Sequence, residues 1–210
     1  DSYFKSYLLQ TRLEHMSPKL NSKKAFNSHN PATGEVIGTY PITSAKEVQQ
    51  IANDARAASI RWEKLGFSGR KKVLLAWSSF IINNIDQIAA IVSLETGKPL
   101  GDAKLEASIA VSHIGWAARH AEEIMRTSYR APGALMLNMS ATVERSPLGV
   151  VGVIGPWNYP IFTPVGSIVY ALAAGNTVVF KPSEYTPGVG VWLEESFSTV
   201  APFADIFTTI

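Results

Sequence analysis

The sequence predicts an α/β protein in which a helical layer precedes part of a parallel sheet. Three observations carry that expectation. Residues 45–125 repeat apolar side chains at helical spacing, and residues 134–147 change to an alternating, β-prone pattern. Residues 148–210 then run strand, helix, strand, helix, strand with short loops, the rhythm of right-handed parallel connections.

Residues 1–29 are polar and irregular and read as an arm, with one short helical candidate over 3–14. Asn30-Pro31-Ala32-Thr33-Gly34 is a turn, followed by a strand over 36–40. Four helices are expected next. The first has a capping box, Ser44 with Glu47, and an apolar stripe at Val48, Ile51, Ala52, Ala55 and Trp62. The second starts near Ser68 and repeats apolar residues at Val73, Leu74, Trp77, Phe80, Ile81 and Ile85. The third begins near Asp86 and stops at Glu95-Thr96-Gly97-Lys98-Pro99, where Gly97 suits a left-handed cap and Pro99 forbids continuation. The fourth covers roughly 102–125, with Leu105, Ile109, Trp116 and Ile124 among its apolar positions. Trp62, Trp77 and Trp116 are read as core or interface residues. Beyond it, 134–147 is expected to be a strand or hairpin arm. Strands follow at 150–154, 177–180 and 206–210, with helices at 162–174 and 188–200 between them. The chain ends inside the last apolar strand, so the sheet is expected to be incomplete.

Composition narrows the function classes. Of 210 residues, 46% are hydrophobic and 17% charged, enough apolar material for a core. The net charge of +2 is spread out, and the densest basic cluster, Arg70-Lys71-Lys72, opens a helix and reads as its solvated face. No nucleic-acid partner is expected. No apolar run approaches the roughly 18 residues a membrane span needs, and no signal-peptide pattern opens the chain. There is no cysteine, which excludes a disulfide framework and thiolate metal sites and fits the cytoplasm. It also removes the thiol as a nucleophile. Glu106, His113 and His120 recur every seven residues, but seven residues rise about 10.5 Å along a helix, too far for the histidines to share an ion. They read as helix packing, and no metal is expected.

In an open parallel sheet, ligands bind beyond the carboxyl ends of the strands, and two loops leave such ends here. In Gly155-Pro156-Trp157-Asn158-Tyr159-Pro160, two prolines stiffen the backbone around an Asn. Asn158 either offers a neutral donor to a developing oxyanion or caps the next helix. In Lys181-Pro182-Ser183-Glu184, an ammonium and a carboxylate stand three residues apart. They suit the adjacent hydroxyls of a ribose, or form a surface ion pair of little consequence. No G-x-G-x-x-G lies between strand and helix, so the usual dinucleotide fingerprint is absent.

The run from Ser146 to Pro160, SPLGVVGVIGPWNYP, strongly resembles the signature stretch of aldehyde dehydrogenases. ALAAGNTVVFKPSE, from Ala171 to Glu184, continues it in the right order and spacing, and Asn30–Gly34 and Glu95–Pro99 match two further family segments. The resemblance covers about 27–210. It implies a Rossmann-like nucleotide-binding unit preceded by a helical layer and a β oligomerisation arm. On that basis the chain divides into an arm (1–29), the helical part of a cofactor-binding domain (30–133), the strand arm (134–147) and the first half of the Rossmann-like unit (148–210).

The resemblance further implies that Asn158 is the side-chain half of an oxyanion hole and that Lys181 and Glu184 hold the adenosine ribose. Ile154, Pro156 and Trp157 would wall the cofactor cleft. In the family a cysteine thiolate attacks the aldehyde, the thiohemiacetal passes hydride to NAD(P), and glutamate-activated water hydrolyses the thioester. Those later segments are not in this sequence, which is therefore expected to be the amino-terminal portion, inactive alone. NAD is the expected cofactor, with NADP as the alternative. The partner is an aldehyde substrate, and a homodimer or homotetramer is expected at full length. A reductive relative acting on acyl phosphates or acyl-CoA, or a non-catalytic fragment, would share these features.

Overall fold

The computed structural model describes residues 24–210. The helical candidate at 3–14 lies outside them. β1 (Ala25–His29) pairs antiparallel with β2 (Val36–Pro41) across the expected turn. Gly34 closes that turn, donating to the Asn30 carbonyl at 2.8 Å. Residues 25–29 are thus a strand rather than irregular arm. The segment carries little apolar alternation because only Ser28 is buried, and backbone pairing holds it in place.

α1 (Ala45–Lys64) starts on the expected capping box, with Ser44 Oγ accepting from Glu47 N and Glu47 accepting from Ser44 N. α2 (Gly66–Asn83) buries Arg70, Leu74, Trp77 and Ile81 on one stripe. Asn84 breaks the helical path, so Ile85 opens α3 (Ile85–Thr96) instead of closing α2. α3 ends at Gly97, whose φ of 73° lies in the left-handed region that favours glycine.

α4 (Leu100–Met125) corrects an expectation. Leu105, Ile109, Trp116 and Ile124 lie on its outer face, 43–59% exposed. Its buried face is Ala103, Glu106, Ala107, Ala110, Ile114, Ala117 and Ala118. Small side chains let α4 pack closely on α2 and α3, so alanine outcompetes leucine for the interior. Trp62 and Trp77 are fully buried as expected, whereas Trp116 is not.

The arm is a short hairpin, β3 (Ser128–Arg130) with β4 (Ala141–Val143). The alternation at 135–140 does not form strand; Ala134–Met136 is a 3₁₀ turn, and Leu135 and Leu137 stand 98% and 83% exposed at the tip.

The parallel unit forms as predicted. β5 (Val150–Ile154), α5 (Phe162–Ala174), β6 (Thr177–Lys181), α6 (Pro187–Ser198) and β7 (Phe207–Thr209) follow one another, with sheet order β5-β6-β7. This is an α/β fold with an incomplete Rossmann-like unit. β6 lies in the middle, and its Thr177, Val178, Val179 and Phe180 are all buried. One continuous core joins the helical layer to the sheet, with Trp77 edge-on to Phe197 at 5.2 Å and tilted against Phe207 at 6.0 Å.

Arg70 also departs from expectation. It is 3% exposed, and its guanidinium donates to the Glu63 carbonyl at 2.9 Å and the Ala173 carbonyl at 3.1 Å. It thereby meets the unsatisfied carbonyls at the ends of α1 and α5. Lys71 and Lys72 are exposed. Among the described residues no single helix is long and apolar enough to cross a membrane. α2 and α3 reach that composition only together, and they bend by 70° at their junction.

Candidate functional site

The two loops begin side by side. Ile154 is in register with Lys181, and Gly155 N donates to the Lys181 carbonyl at 2.9 Å. Parallel pairing of β5 and β6 therefore places both candidate loops at one end of the sheet. Lys181 Nζ lies 3.9 Å from Glu184 Oε2 and donates to the Pro182 carbonyl at 2.9 Å. Both side chains are about half exposed or more, so the charges are screened and each keeps capacity for a ligand. They border a cleft of about 310 Å³ whose walls include Tyr40, Ile42, Val48 and Ile210. A donor and an acceptor converging at a cleft edge fit the two hydroxyls of a ribose. Ile154, Pro156, Trp157 and Asn158 do not line this cleft. Ile154 and Trp157 stand 80% and 54% exposed on the neighbouring strand end and loop.

Asn158 does not cap the next helix. The N-cap of α5 is Ile161, and it makes no side-chain cap bond. Its amide and that of Phe162 donate instead to Glu106 Oε1, at 2.8 and 3.1 Å. Glu106 comes from α4 and is 2% exposed. Glu106 Oε2 pairs with Lys98 Nζ, which also donates to the Asn158 carbonyl at 2.9 Å. The Asn158 side chain is exposed and makes no hydrogen bond to any described residue.

The same device recurs at α6. Glu95, from α3, accepts from Gly188 N at 2.8 Å and Val189 N at 3.0 Å, and from Ser28 Oγ at 3.2 Å. Burial pushes its carboxyl up to about 7, outweighing those three hydrogen bonds. The Tyr40 phenol is raised as well, by burial first and then by the charges of Glu95 and Glu195. A Cβ at Gly188 would stand 2.7 Å from the Tyr40 hydroxyl and 2.9 Å from Glu95 Oε1, so a larger residue would push the phenol or the carboxylate aside.

Both helices that follow the candidate loops thus have their N-termini filled by protein carboxylates. In a fingerprinted dinucleotide fold that position receives phosphate. Its occupation is the structural counterpart of the missing glycine fingerprint.

Sequence reasoning did not assign these roles to Glu95, Lys98 and Glu106. The signal was present for Glu106, a carboxylate in line with Ala103, Ala107 and Ala110 on the buried stripe of α4. A charge there demands a partner. His113 and His120 do not join it: His113 Nδ1 lies 2.8 Å from the Tyr170 hydroxyl, and His120 stacks on Trp116 at 4.7 Å.

Residues 19–207 match the model of the aldehyde dehydrogenase family. A Sinorhizobium fredii protein, named probable NADP-dependent succinate-semialdehyde dehydrogenase, is 38% identical over 165 residues, which are 79% of this chain and 33% of that protein. The chain therefore spans about a third of the length of the curated relatives it matches. Among solved structures, an NADP-dependent enzyme of E. coli superposes with a TM-score of 0.84 at 32% identity, covering 89% of this chain and 38% of that one. An NAD-dependent aldehyde dehydrogenase from Sinorhizobium meliloti gives 0.82 at 29%, covering 89% and 37%.

Proposed function

The chain belongs to the aldehyde dehydrogenase family, and from that membership we propose that it is the amino-terminal part of an NAD(P)-dependent enzyme oxidising an aldehyde to a carboxylic acid. The observation that carries this reading is the unspent carboxamide of Asn158, exposed at the carboxyl end of β5 while Glu106 does the capping. A neutral amide fixed there stabilises the oxygen that gains charge when a nucleophile adds to the aldehyde carbonyl, without itself titrating. Lys181 and Glu184 hold the ribose hydroxyls, the ammonium donating and the carboxylate accepting, and their spacing at the cleft edge supports this. Ile154, Pro156 and Trp157 wall the cofactor on the adjacent strand end. When bound, the nicotinamide supplies the hydride acceptor.

We favour NAD, because a carboxylate beside the ribose repels a 2′-phosphate; Lys181 offers the countercharge through which NADP is accepted. The 210 residues contain no cysteine, so the thiolate nucleophile is not among them, and the general base is assigned with it to the later segments of the family pattern. We assign 30–133 and 148–210 to one cofactor-binding domain, supported by their shared core. The exposed apolar tip of the β3–β4 hairpin supports a role in a homodimer or homotetramer. A cytoplasmic location fits an enzyme that must keep a catalytic thiol reduced.

The test uses the full-length enzyme with a panel of aldehydes. Asn158→Ala is expected to lower kcat by about a hundredfold or more while cofactor affinity stays within about twofold of wild type. A variant that keeps wild-type kcat, or loses only cofactor affinity, removes Asn158 from the oxyanion role.

A further inference from the structure

We propose that Lys98 and Glu106 are positioning residues for Asn158, a clamp anchored on a buried carboxylate that fixes the loop presenting the oxyanion donor. The inference rests on the functional reading given above.

The two prolines limit the loop's backbone, but no hydrogen bond joins residues 156–162 to one another. Pro156 and Pro160 have no amide hydrogen to donate. The last sheet-type bond is from Gly155 N to Lys181, and helical bonding resumes only with Thr163 N to the Tyr159 carbonyl at 3.3 Å. Together, Lys98 and Glu106 supply contacts to four of the five residues 158–162. Lys98 Nζ donates to the Asn158 carbonyl at 2.9 Å and sits 4.2 Å from the Tyr159 ring centre. Glu106 Oε1 receives the Ile161 and Phe162 amides at 2.8 and 3.1 Å. The two side chains pair with each other and are 16% and 1% exposed, so the linkage is shielded from solvent. Each is anchored at its own end. Lys98 follows the left-handed Gly97 and its amide donates to Thr96 Oγ1 at 3.1 Å, whereas Glu106 sits on the alanine face of α4.

The division of labour argues for more than helix capping. A Ser, Thr, Asn or Asp at the N-cap would satisfy the first amides of α5 locally. Here the N-cap is Ile161, and a carboxylate 55 residues away does that work. Asn158 is relieved of capping, and its backbone is held by Lys98 while its side chain stays unengaged. Oxyanion donors act by being fixed before charge develops, and a displacement of about 1 Å costs on the order of a hundredfold in rate.

The experiment compares full-length wild type with Lys98→Met, Glu106→Gln and the conservative Lys98→Arg. Steady-state kinetics and hydrogen exchange of peptides covering 155–162 and 182–186 are both measured. Glu106→Gln keeps one carbonyl oxygen for the two amides and turns the oxygen that faces Lys98 into an NH2 donor, so it breaks the pair with Lys98 and serves if Lys98→Met does not fold. For Lys98→Met and Glu106→Gln we expect kcat to fall by about tenfold or more with cofactor KM within about twofold, and Lys98→Arg to recover most of the loss. Exchange should rise over 155–162 and not over 182–186. A folded Glu106→Gln or Lys98→Met variant with wild-type kcat, or with wild-type exchange over 155–162, overturns the clamp. Wild-type enzyme that turns over no aldehyde would instead overturn the functional reading, and exchange alone then decides the clamp in either direction.

Discussion

At the scale of single residues, the site turns on which polar groups are already engaged. Asn158 keeps its side-chain donors because Glu106 takes the α5 amides, and Lys181 keeps donors and Glu184 acceptors for a ligand because 3.9 Å of partly solvated space separates them. The second pair yields a prediction about cofactor choice. Removing the Glu184 charge should narrow the preference for NAD over NADP in the full-length enzyme by roughly threefold to tenfold, a modest effect because exposed charges are screened. The ratio of kcat/KM for the two cofactors in Glu184→Gln against wild type measures it. An unchanged ratio, or a wild type that prefers NADP, would count against Glu184 as the ribose acceptor.

At the scale of elements, buried carboxylates from α3 and α4 tie the helical layer to the sheet helices. Glu95 and Glu106 each sit on an apolar helix face and reach across to a helix N-terminus. For Glu95 this gives a pH dependence with a definite sign. Its folded carboxyl titrates at about 7, above the ordinary value of 4.5, because burial disfavours the charge. Between those values the folded protein binds more proton than the unfolded chain, so stability falls as pH rises. The protonated cap contributes fully below about pH 4.5 and is lost through about pH 7, a span worth on the order of 3 kcal/mol. Urea denaturation midpoints at pH 5 and about pH 8 should therefore drop for wild type and drop distinctly less for Glu95→Gln. Parallel pH profiles for the two proteins would mean that Glu95 titrates normally. Glu194 and Glu195 are also raised by burial and shift both profiles the same way.

At the scale of the whole molecule, one core spans helices and sheet, yet the chemistry is divided. In the proposed reading the chain supplies a donor for an oxyanion and groups for a ribose, and its sequence holds no thiol. Residues 1–210 alone should show no aldehyde-dependent NADH formation, since covalent capture needs a nucleophile that this composition lacks. The check is the absorbance of NADH with purified, mass-verified chain and several aldehydes. Turnover at rates typical of the family would require a nucleophile other than cysteine. The membership itself was legible beforehand in SPLGVVGVIGPWNYP and ALAAGNTVVFKPSE, because those loops and strands are continuous in sequence. Lys98 and Glu106 were not legible as partners of Asn158, lying 60 residues from it and 55 from Ile161.

By itself, the sequence determined the α/β class, the parallel unit, the Ser44 capping box and the stop at Gly97, all of which rest on local spacing and backbone preference. It also placed the two candidate loops at strand ends. Tertiary structure alone decided which face of α4 points inward, because close helix packing selects small side chains over large ones. It turned Arg70 from a solvated cation into a buried bridge between two helix ends. It made β1 a strand through pairing that carries almost no apolar signature. And it settled what caps α5, since a carboxylate buried on a distant helix is satisfied only by amides that folding brings to it.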